Sequence, residues 1–312
     1  MSLDLSFARA AFVLPKEFNK IKIFIIGAGG TGSFTALNLA RLAFELRRIG
    51  KAVEITIIDP DRVESANIPR SNFCAAEIGR FKAQTIAERI TLAWGLEIGY
   101  ANEKLNYEKH IKPNSNGFKE LTILVGCVDN HLARREIHRS LLESSKYNSD
   151  SAPEFWWIDG GNGKSSGQVL IGSKGKSDVP ENHFTSATIC KTLPAPSVIH
   201  PELLENQEFP QAREKAERLS CPERVRLGEQ SLNINQRVAI EIAGMLTEFL
   251  LTNNLRRFAT YFDLESETTR SLYCSPEHLE KALKEAAAKG RNAKSRSKTR
   301  SARSDFGKGG DL

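Results

Sequence analysis

The sequence predicts a Rossmann-like, doubly wound α/β protein with a mainly parallel sheet and helices on both faces. Three observations predict this class. Short apolar segments rich in β-branched residues alternate with amphipathic helical patterns. A glycine-rich turn follows the first apolar segment at once, and an acidic residue closes the second. With 312 residues, of which 40% are hydrophobic, the chain is long enough to bury a substantial core.

The clearest element is a βαβ unit near the start of the chain. Residues 21–26 are apolar and β-branched, and the turn 27–32, Gly-Ala-Gly-Gly-Thr-Gly, follows directly. Apolar residues then recur at three- or four-residue steps as far as Gly50, which predicts a helix. A second predicted strand, 53–58, is closed by the sequence Asp-Pro-Asp at 59–61. Strand, glycine turn, helix, strand and acid in this order are typical of a nucleotide-binding turn.

The alternation continues along the chain. Residues 121–128 are almost uninterruptedly apolar, as expected for a central parallel strand that is buried on both faces. The remaining predicted elements are helices at 81–94, 130–143 and 232–251, strands at 96–100, 155–158, 168–171 and 258–264, a glycine-rich loop at 159–163 and a short helix after Pro276.

The chain is predicted to hold one nucleotide-binding domain. Six prolines between residues 173 and 229 interrupt the alternation, and only 211–219 has a helical pattern there. From Gly290 onward Lys, Arg, Ser and Gly dominate, as in disordered tails. The predicted divisions are an N-terminal extension (1–20), a nucleotide-binding core (21–172), a crossover loop (173–229), the C-terminal completion of the same domain (230–289) and a disordered basic tail (290–312).

The basic charge is confined to the C-terminus. Residues 281–312 contain ten Lys/Arg and three Asp/Glu, a net charge of +7, whereas the whole chain has +6, so the first 280 residues have −1. A neutral body argues against a nucleic-acid-binding fold, because the basic side chains of such a fold should lie on its folded surface. The tail itself is either a solvated end or a contact for nucleic acid or an acidic partner.

Cysteine and histidine spacing excludes several classes of site. The five cysteines are widely spaced without a Cys-x-x-Cys pair, and none of the six histidines pairs with another at metal-ligand spacing. We therefore expect neither a disulfide framework nor a zinc site. The first residues do not resemble a secretory signal, and no apolar run approaches the roughly 18 residues of a transmembrane helix. A cytoplasmic protein with free thiols and no membrane contact is expected.

Taken alone, the spacing Gly27-x-Gly29-x-x-Gly32 has several interpretations. Its glycines let backbone amides approach a phosphate at a helix N-terminus, where the helix dipole favours negative charge. The same turn serves ATP, NAD or FAD equally well, and a tight strand-to-helix turn requires no ligand at all. Asp59 is the usual partner of ribose hydroxyls in such a unit, or else a turn aspartate before Pro60.

Three further motifs follow the glycine turn in order. They are Asp-Pro-Asp-Arg-Val-Glu-Ser-Ala-Asn-Ile-Pro-Arg at 59–70, Ile-Gly-Arg-Phe-Lys at 78–82 and Val-Asp-Asn-His-Leu-Ala-Arg at 128–134. Together with the turn, this order closely resembles the ThiF/MoeB/HesA family, relatives of ubiquitin-activating enzymes, over about residues 20–265. Within that family the chain is most similar to the ThiF-like component of the bacterial PRTRC plasmid cassette.

The resemblance implies that a homodimer uses ATP and Mg²⁺ to adenylate a small ubiquitin-like or sulfur-carrier-like protein at its C-terminal glycine. An ionised carboxylate is already a nucleophile, so alignment and charge neutralisation would carry the rate. The implied site consists of Gly27, Gly29, Gly30 and Gly32 at the phosphates, Asp59 at the ribose with Asp61 in the same nucleotide site, Asn67, Arg70 and Lys82 at the triphosphate, and Asp129 on the magnesium ion.

The implied residues also have purely structural interpretations. Arg70 and Lys82 could be solvated surface charges, and Asp129 with Asn130 could cap the helix that follows. Arg134 is expected either to pair locally or to contact the nucleotide indirectly.

Family members often carry a cysteine before the helix that follows the crossover loop, and Cys221 occupies that place. Its thiolate could accept the acyl group from the adenylate, or the thiol could have no role. Cys190 is the second candidate, and Cys127 is expected to be a buried strand residue.

The chain departs from the family pattern in three respects. Ser71 stands where the family has the glutamine of an Arg-Gln pair, the zinc-binding Cys-x-x-Cys pairs are absent, and an N-terminal Arg-Tyr-x-Arg-Gln stretch has no counterpart. Two other functions stay open. One is a nucleotide-binding scaffold of a plasmid cassette without efficient turnover, and the other is an NAD(P)- or FAD-dependent oxidoreductase.

Overall fold

The computed structural model describes residues 5–112, 119–145, 154–176, 179–205 and 232–289. Within these ranges the strands are β1 (Phe12–Val13), β2 (Lys20–Ile26), β3 (Ala52–Ile58), β4 (Ile98–Ala101), β5 (Glu120–Gly126), β6 (Phe155–Asn162), β7 (Ser166–Gly172), β8 (Phe184–Ser186), β9 (Ile189–Cys190), β10 (Arg257–Asp263) and β11 (Thr268–Tyr273). The helices are α1 (Ser6–Arg9), α2 (Gly30–Arg48), α3 (Lys82–Trp94), α4 (His131–Ser145), α5 (Pro196–Ile199), α6 (Ile234–Leu250) and α7 (276–289). Short 3-10 turns lie at Ser65–Asn67, Ala75–Glu77, Pro180–His183 and Pro201–Leu204, and a π-helical turn at Tyr107–Ile111.

The main sheet has eight strands in the order β11-β10-β7-β6-β5-β2-β3-β4. The strands from β4 to β6 are parallel neighbours, and the strands from β6 to β11 pair antiparallel. The chain proceeds from β2 to β3 and β4 on one side, and then crosses to β5 on the other side of β2. In open α/β sheets ligands bind at the carboxyl edge where the strand order reverses in this way. The predicted doubly wound fold is confirmed.

The central strands are buried because helices cover both faces of the sheet. Along β2 the side chains of Ile21, Ile23 and Ile25 enter the larger core, whereas Phe24 and Ile26 enter the smaller core on the opposite face. Helices α2, α3 and α6 contribute to the larger core and α4 to the smaller one. Strands buried on both faces have near-continuous apolar sequences, which is why they were recognisable from sequence.

The ends of the helices place the loops that carry the site. α2 begins directly after the glycine turn, with Gly29 at its N-cap. α3 ends where Gly95 adopts the left-handed conformation, with φ 63°, and its amide bonds to the Thr91 carbonyl. Glycine at this position is a common helix terminator because it has no Cβ to clash.

Two sequence predictions differ from the structure. The prediction of a loop at 159–163 was wrong, because β6 continues through Asn162 and pairs with β7 from Trp157 to Asn162. A Cβ on Gly160 would lie 2.7 Å from Val238 of α6, so glycine serves close helix packing there rather than a turn. The helix predicted to be short after Pro276 extends over 276–289.

The segment predicted as a crossover loop is partly regular. Residues 179–205 hold β8, β9 and α5, and β9 pairs with β1 and β8 in a small three-stranded sheet. The predicted helix at 211–219, Cys221 and the tail 290–312 lie outside the described residues. The division of the chain at 20, 172, 229 and 289 stays a prediction. None of the helices in the described ranges combines the length and apolarity needed to cross a membrane.

Candidate functional site

The glycine turn between β2 and α2 is closed by steric contacts that only glycine allows. Gly27 has φ +92°, and a Cβ there would lie 2.6 Å from the carbonyl oxygen of Cys127. A Cβ on Gly32 would lie 1.8 Å from the carbonyl oxygen of Gly27. The turn therefore packs against its own first residue and against the end of β5, at the carboxyl edge of the sheet.

Asp59, at the end of β3, is bonded to this turn. Its Oδ2 accepts a hydrogen bond from the Ala28 amide at 2.6 Å, and its Oδ1 accepts one from the Asp61 amide at 2.8 Å. Burial raises the pKa of the Asp59 carboxyl above its ordinary value, while those two amides and the charge of Lys82 oppose the shift. One carboxylate thus joins the glycine turn to the segment that follows β3.

Lys82 is buried beside this segment. It is the first residue of α3 and only 8% exposed, and its Nζ lies 3.0 Å from Oδ2 of the exposed Asp61. The Lys82 amide also donates to the Asp61 carbonyl at 2.9 Å. Lys82 is therefore not a solvated surface charge. Its ion pair with Asp61 links it to Asp59, because the Asp61 amide donates to the Asp59 carboxylate.

Asn67 and Arg70 lie on the same segment. Asn67 is buried, its Oδ1 accepts from the Glu64 amide at 2.9 Å, and its carbonyl accepts from the amides of Arg70 and Ser71 at 3.2 and 2.9 Å. The side-chain oxygen of Asn67 thus stabilises the local turn. Arg70 is half-buried, and its carbonyl accepts a hydrogen bond from Asn235 of α6 at 3.2 Å.

Asp129 is exposed just beyond the end of β5. The neighbouring Asn130 caps α4, because its Oδ1 accepts from the Ala133 amide at 2.9 Å. Asp129 also lies two residues beyond Cys127, whose carbonyl packs against Gly27. Asn130 provides the cap, and Asp129 is an exposed carboxylate that directly follows Val128, whose side chain would lie 3.0 Å from a Cβ on Gly27.

A buried ion pair lies on the neighbouring strand β6, where Asp159 is in register with Gly126 at the end of β5. Arg134 of α4 donates from Nε to both oxygens of Asp159 on β6, at 3.2 and 3.1 Å, which confirms the expected local pairing of Arg134. Complete burial raises the pKa of Asp159, and the guanidinium of Arg134 opposes that shift. Removing one partner of such a pair leaves an uncompensated buried charge, so the pair holds α4 against β6.

Sequence reasoning missed Asn235, whose buried side chain makes three hydrogen bonds at this edge. Its Oδ1 accepts from Thr31 Oγ1 at 3.2 Å and from Asn162 Nδ2 at 3.1 Å, in addition to the bond its Nδ2 donates to Arg70. The sequence does contain a signal for Asn235, because it is a polar residue one turn before Val238 on the buried face of a predicted amphipathic helix. A buried amide needs partners, so such a residue indicates a polar contact.

The cysteines differ sharply in their surroundings. Cys190 has no exposed surface, and its thiol donates to the Thr192 carbonyl at 2.9 Å. Cys127 was expected within a strand, but it lies just past β5 and is half-buried. Burial raises the pKa of the Cys127 thiol to about 12, so it is protonated at neutral pH.

The turn leaves open space beside Gly29. A Cβ on Gly29 would meet no protein atom within 4 Å, so the packing of the described residues does not require glycine there, whereas close approach of a ligand would. Among the residues that the structure describes, no three His, Cys, Asp or Glu side chains cluster as metal ligands. Mg²⁺ is commonly held by one or two carboxylates together with substrate phosphates, and Asp129 is suited to that arrangement.

The fold and the site define a doubly wound α/β protein whose glycine turn, strand-end acid and buried lysine meet at the switch point. The profile of the ThiF family matches residues 4–274, and the chain belongs to that family. It is 30% identical over 143 residues to ubiquitin-like modifier-activating enzyme 5 of Dictyostelium discoideum, covering 42% of this chain and 35% of that protein. The chain thus spans about a third of the length of that relative.

Two solved structures have a similar fold. One is E. coli MccB with AMPCPP and selenomethionine MccA, with a TM-score of 0.51, 14% identity and coverage of 87% of this chain and 66% of that one. The other is E. coli MccB with ATP, with a TM-score of 0.50, 15% identity and the same coverage. At these identities the likeness shows the shared fold.

Proposed function

We propose that the protein adenylates the C-terminal carboxylate of a small ubiquitin-like or sulfur-carrier-like protein, with ATP and Mg²⁺. The observation that carries the proposal is the convergence at the carboxyl edge of the sheet. Asp59 is bonded to Ala28 of the glycine turn, and Lys82 is paired with Asp61 two residues further on. Membership of the ThiF family and similarity to an enzyme named for activating a ubiquitin-like modifier support the reaction class.

Each residue of the site has a proposed role. Asp59 binds the ribose, and Arg70 and Lys82 neutralise charge on the triphosphate. Asp129 holds Mg²⁺, which supplies further charge neutralisation when bound. The remaining nucleotide contacts are Gly27, Gly29, Gly30 and Gly32 at the phosphates, with Asn67 and Asp61 beside them.

The proposed chemistry needs no general base. A carboxylate oxygen of the substrate attacks the α-phosphorus of ATP, the bond to the bridging oxygen breaks, and pyrophosphate leaves with that electron pair. The rate then depends on alignment of the reactants and on neutralisation of the leaving group. Two buried or half-buried cations and an exposed carboxylate at one sheet edge suit that task.

A transfer to Cys221 is the proposed second step. Its thiolate would attack the acyl carbonyl of the adenylate, forming a thioester and releasing AMP. Cys190 is the weaker candidate, because a thiol with no exposed surface cannot reach an acyl adenylate. Assembly as a homodimer and membership of the PRTRC subgroup are part of the same proposal.

The experiment is ATP–pyrophosphate exchange with a small protein that ends in glycine. We expect Asp129→Ala to lower exchange by at least about 100-fold, because it removes an electrostatic contribution made in the transition state. Cys221→Ala should leave exchange intact and remove only a reductant-sensitive adduct. Glu108→Ala, which alters an exposed carboxylate paired with Lys112, is the matched control and should exchange like wild type.

The outcomes separate the alternative functions. Unchanged exchange in Asp129→Ala would overturn the metal assignment. If the protein binds ATP but shows no ATP–pyrophosphate exchange with any candidate partner, a nucleotide-binding scaffold would be favoured. Tight binding of NAD(P) or FAD in place of ATP would favour an oxidoreductase.

A further inference from the structure

Asn235 is a buried amide that joins three separate parts of the sheet edge. It is the second residue of α6 and only 2% exposed. Its oxygen accepts from Thr31 in the first turn of α2 and from Asn162 at the end of β6, and its nitrogen donates to the Arg70 carbonyl. The contact with Arg70 requires a donor and the other two require an acceptor. The amide supplies both on separate atoms, whereas a carboxylate of the same reach has no donor for the Arg70 carbonyl.

Gly30 shows how closely this amide approaches the glycine turn. The three protein atoms nearest to a Cβ on Gly30 would be Nδ2, Cγ and Oδ1 of Asn235, at 2.6, 2.7 and 2.8 Å. Gly30 is not among the positive-φ glycines of the chain, so the backbone conformation does not demand glycine. Glycine is needed at this position to make room for the side chain of Asn235.

We propose that Asn235 is a positioning residue, which holds the segment carrying Arg70 against the glycine turn so that both face the same triphosphate. The inference rests on the proposed function, because it assumes that the turn and Arg70 share one nucleotide. The Arg70 carbonyl is tied to α6 and the Arg70 amide to Asn67, so loss of Asn235 frees one side of the segment. Asn235 acts through the residues it holds.

The test is a double-mutant cycle on the binding of a fluorescent ATP analogue by the full chain. We expect Asn235→Ala and Gly30→Ala each to weaken binding at least about tenfold, because each removes or displaces the same amide. The double variant should bind the analogue no more weakly than the single variant with the lower affinity. The reason is that alanine at position 235 lacks all three atoms that a methyl group on residue 30 would meet. Gln236→Ala, on the exposed face of the same helical turn, is the control.

Additive losses in the double variant, or wild-type binding by Asn235→Ala, would overturn the inference. Failure of the wild-type chain to bind the analogue would instead refute the proposed function, so the two failures are distinguishable. If Asn235→Ala does not fold, Asn235→Asp keeps both accepted hydrogen bonds and loses the one donated to Arg70. Amide hydrogen exchange in Asn235→Asp should then be faster at Arg70 and Ser71, while the amides of β2 and β5 exchange as in wild type. Unchanged exchange at Arg70 and Ser71 would contradict the positioning role of Asn235.

Discussion

Asp59 illustrates how one side chain that stabilises the fold also lies where the ribose contact is proposed. Both carboxylate oxygens accept backbone hydrogen bonds, one from the glycine turn and one from the segment after β3. A carboxylate oxygen has more than one lone pair, so these bonds leave acceptor capacity for a ribose hydroxyl. The same bonds make the position of Asp59 independent of any ligand.

The glycines of the turn are required for two different reasons. Packing within the protein requires glycine at position 32, whereas at position 29 only the close approach of a ligand would require it. We predict that Gly32→Ala lowers the unfolding free energy by about 3 kcal/mol, because its methyl group would collide with the Gly27 carbonyl. Gly29→Ala should change stability by less than about 1 kcal/mol, since its methyl group meets no protein atom. Binding of an ATP analogue should nevertheless weaken about tenfold in Gly29→Ala.

Urea unfolding and equilibrium binding measure the two effects separately. Gly244→Ala, in α6, controls for the general effect of replacing glycine by alanine away from the site, because its φ is not positive and its methyl group would meet nothing within 4 Å. Equal stability of Gly32→Ala and wild type would show that the turn can rearrange. Wild-type affinity in Gly29→Ala would show that no phosphate approaches that residue.

At the scale of elements, the segment after α5 is held to the sheet and to α7 by a polar chain. His200 bonds to Glu202 through Nδ1 at 2.8 Å and to the Tyr261 hydroxyl through Nε2 at 2.7 Å. Lys289, at the end of α7, pairs with Glu202 at 3.3 Å. This chain anchors the described part of the predicted crossover segment just before residue 206.

This polar chain predicts a pH-dependent stability. Burial alone would raise the pKa of Glu202, but the hydrogen bond from His200, a backbone hydrogen bond and the charges of His200 and Lys289 outweigh it and lower the pKa to about 2. A lowered folded-state pKa adds stability that is present above the unfolded value near 4.5 and is lost as pH falls from there toward 2. We expect Glu202→Gln to cost about 1 kcal/mol at pH 7, a value reduced for partial exposure.

Urea unfolding at pH 7, 5, 4 and 3 tests this prediction. The difference between wild type and Glu202→Gln should be constant from pH 7 to 5 and shrink below about pH 4.5. Glu277→Gln, on the exposed surface of α7, should differ from wild type by less than about 0.5 kcal/mol at pH 7. A Glu202→Gln difference that grows as pH falls would contradict the assignment.

For the whole molecule, we expect binding of the proposed nucleotide to be coupled to folding, because the candidate site is assembled from distant segments. The contacts of Asn235 join positions 31, 70 and 162 to α6, and the unfolded chain does not bring these positions together. A ligand that binds only the folded chain stabilises it by about 2.7 kcal/mol at 100 times its Kd. We therefore expect ATP with Mg²⁺ at that concentration to raise the unfolding free energy by about this amount.

Calorimetry with ATP, NAD and FAD at matched concentrations measures this coupling. NAD and FAD should leave the melting temperature unchanged. A larger shift with NAD or FAD than with ATP would contradict the proposed nucleotide and favour the oxidoreductase alternative.

The sequence by itself determined the fold class, the glycine turn and the family resemblance. These depend on local patterns, since strands buried on both faces are apolar runs and a tight turn at a helix start needs glycine at set spacings. The same local logic failed at 159–163, where glycines that suggested a loop lie in β6 and give α6 room to pack.

Only the tertiary structure decided how the site is held together. That Lys82 is buried against Asp61, that Asp59 closes the turn and that Asn235 joins Thr31 to Arg70 are contacts between residues 21 to 204 positions apart. Spacing along a chain does not encode which side chains meet across a sheet edge. That depends on the strand order and on the placement of α6 over the turn, which are properties of the folded chain.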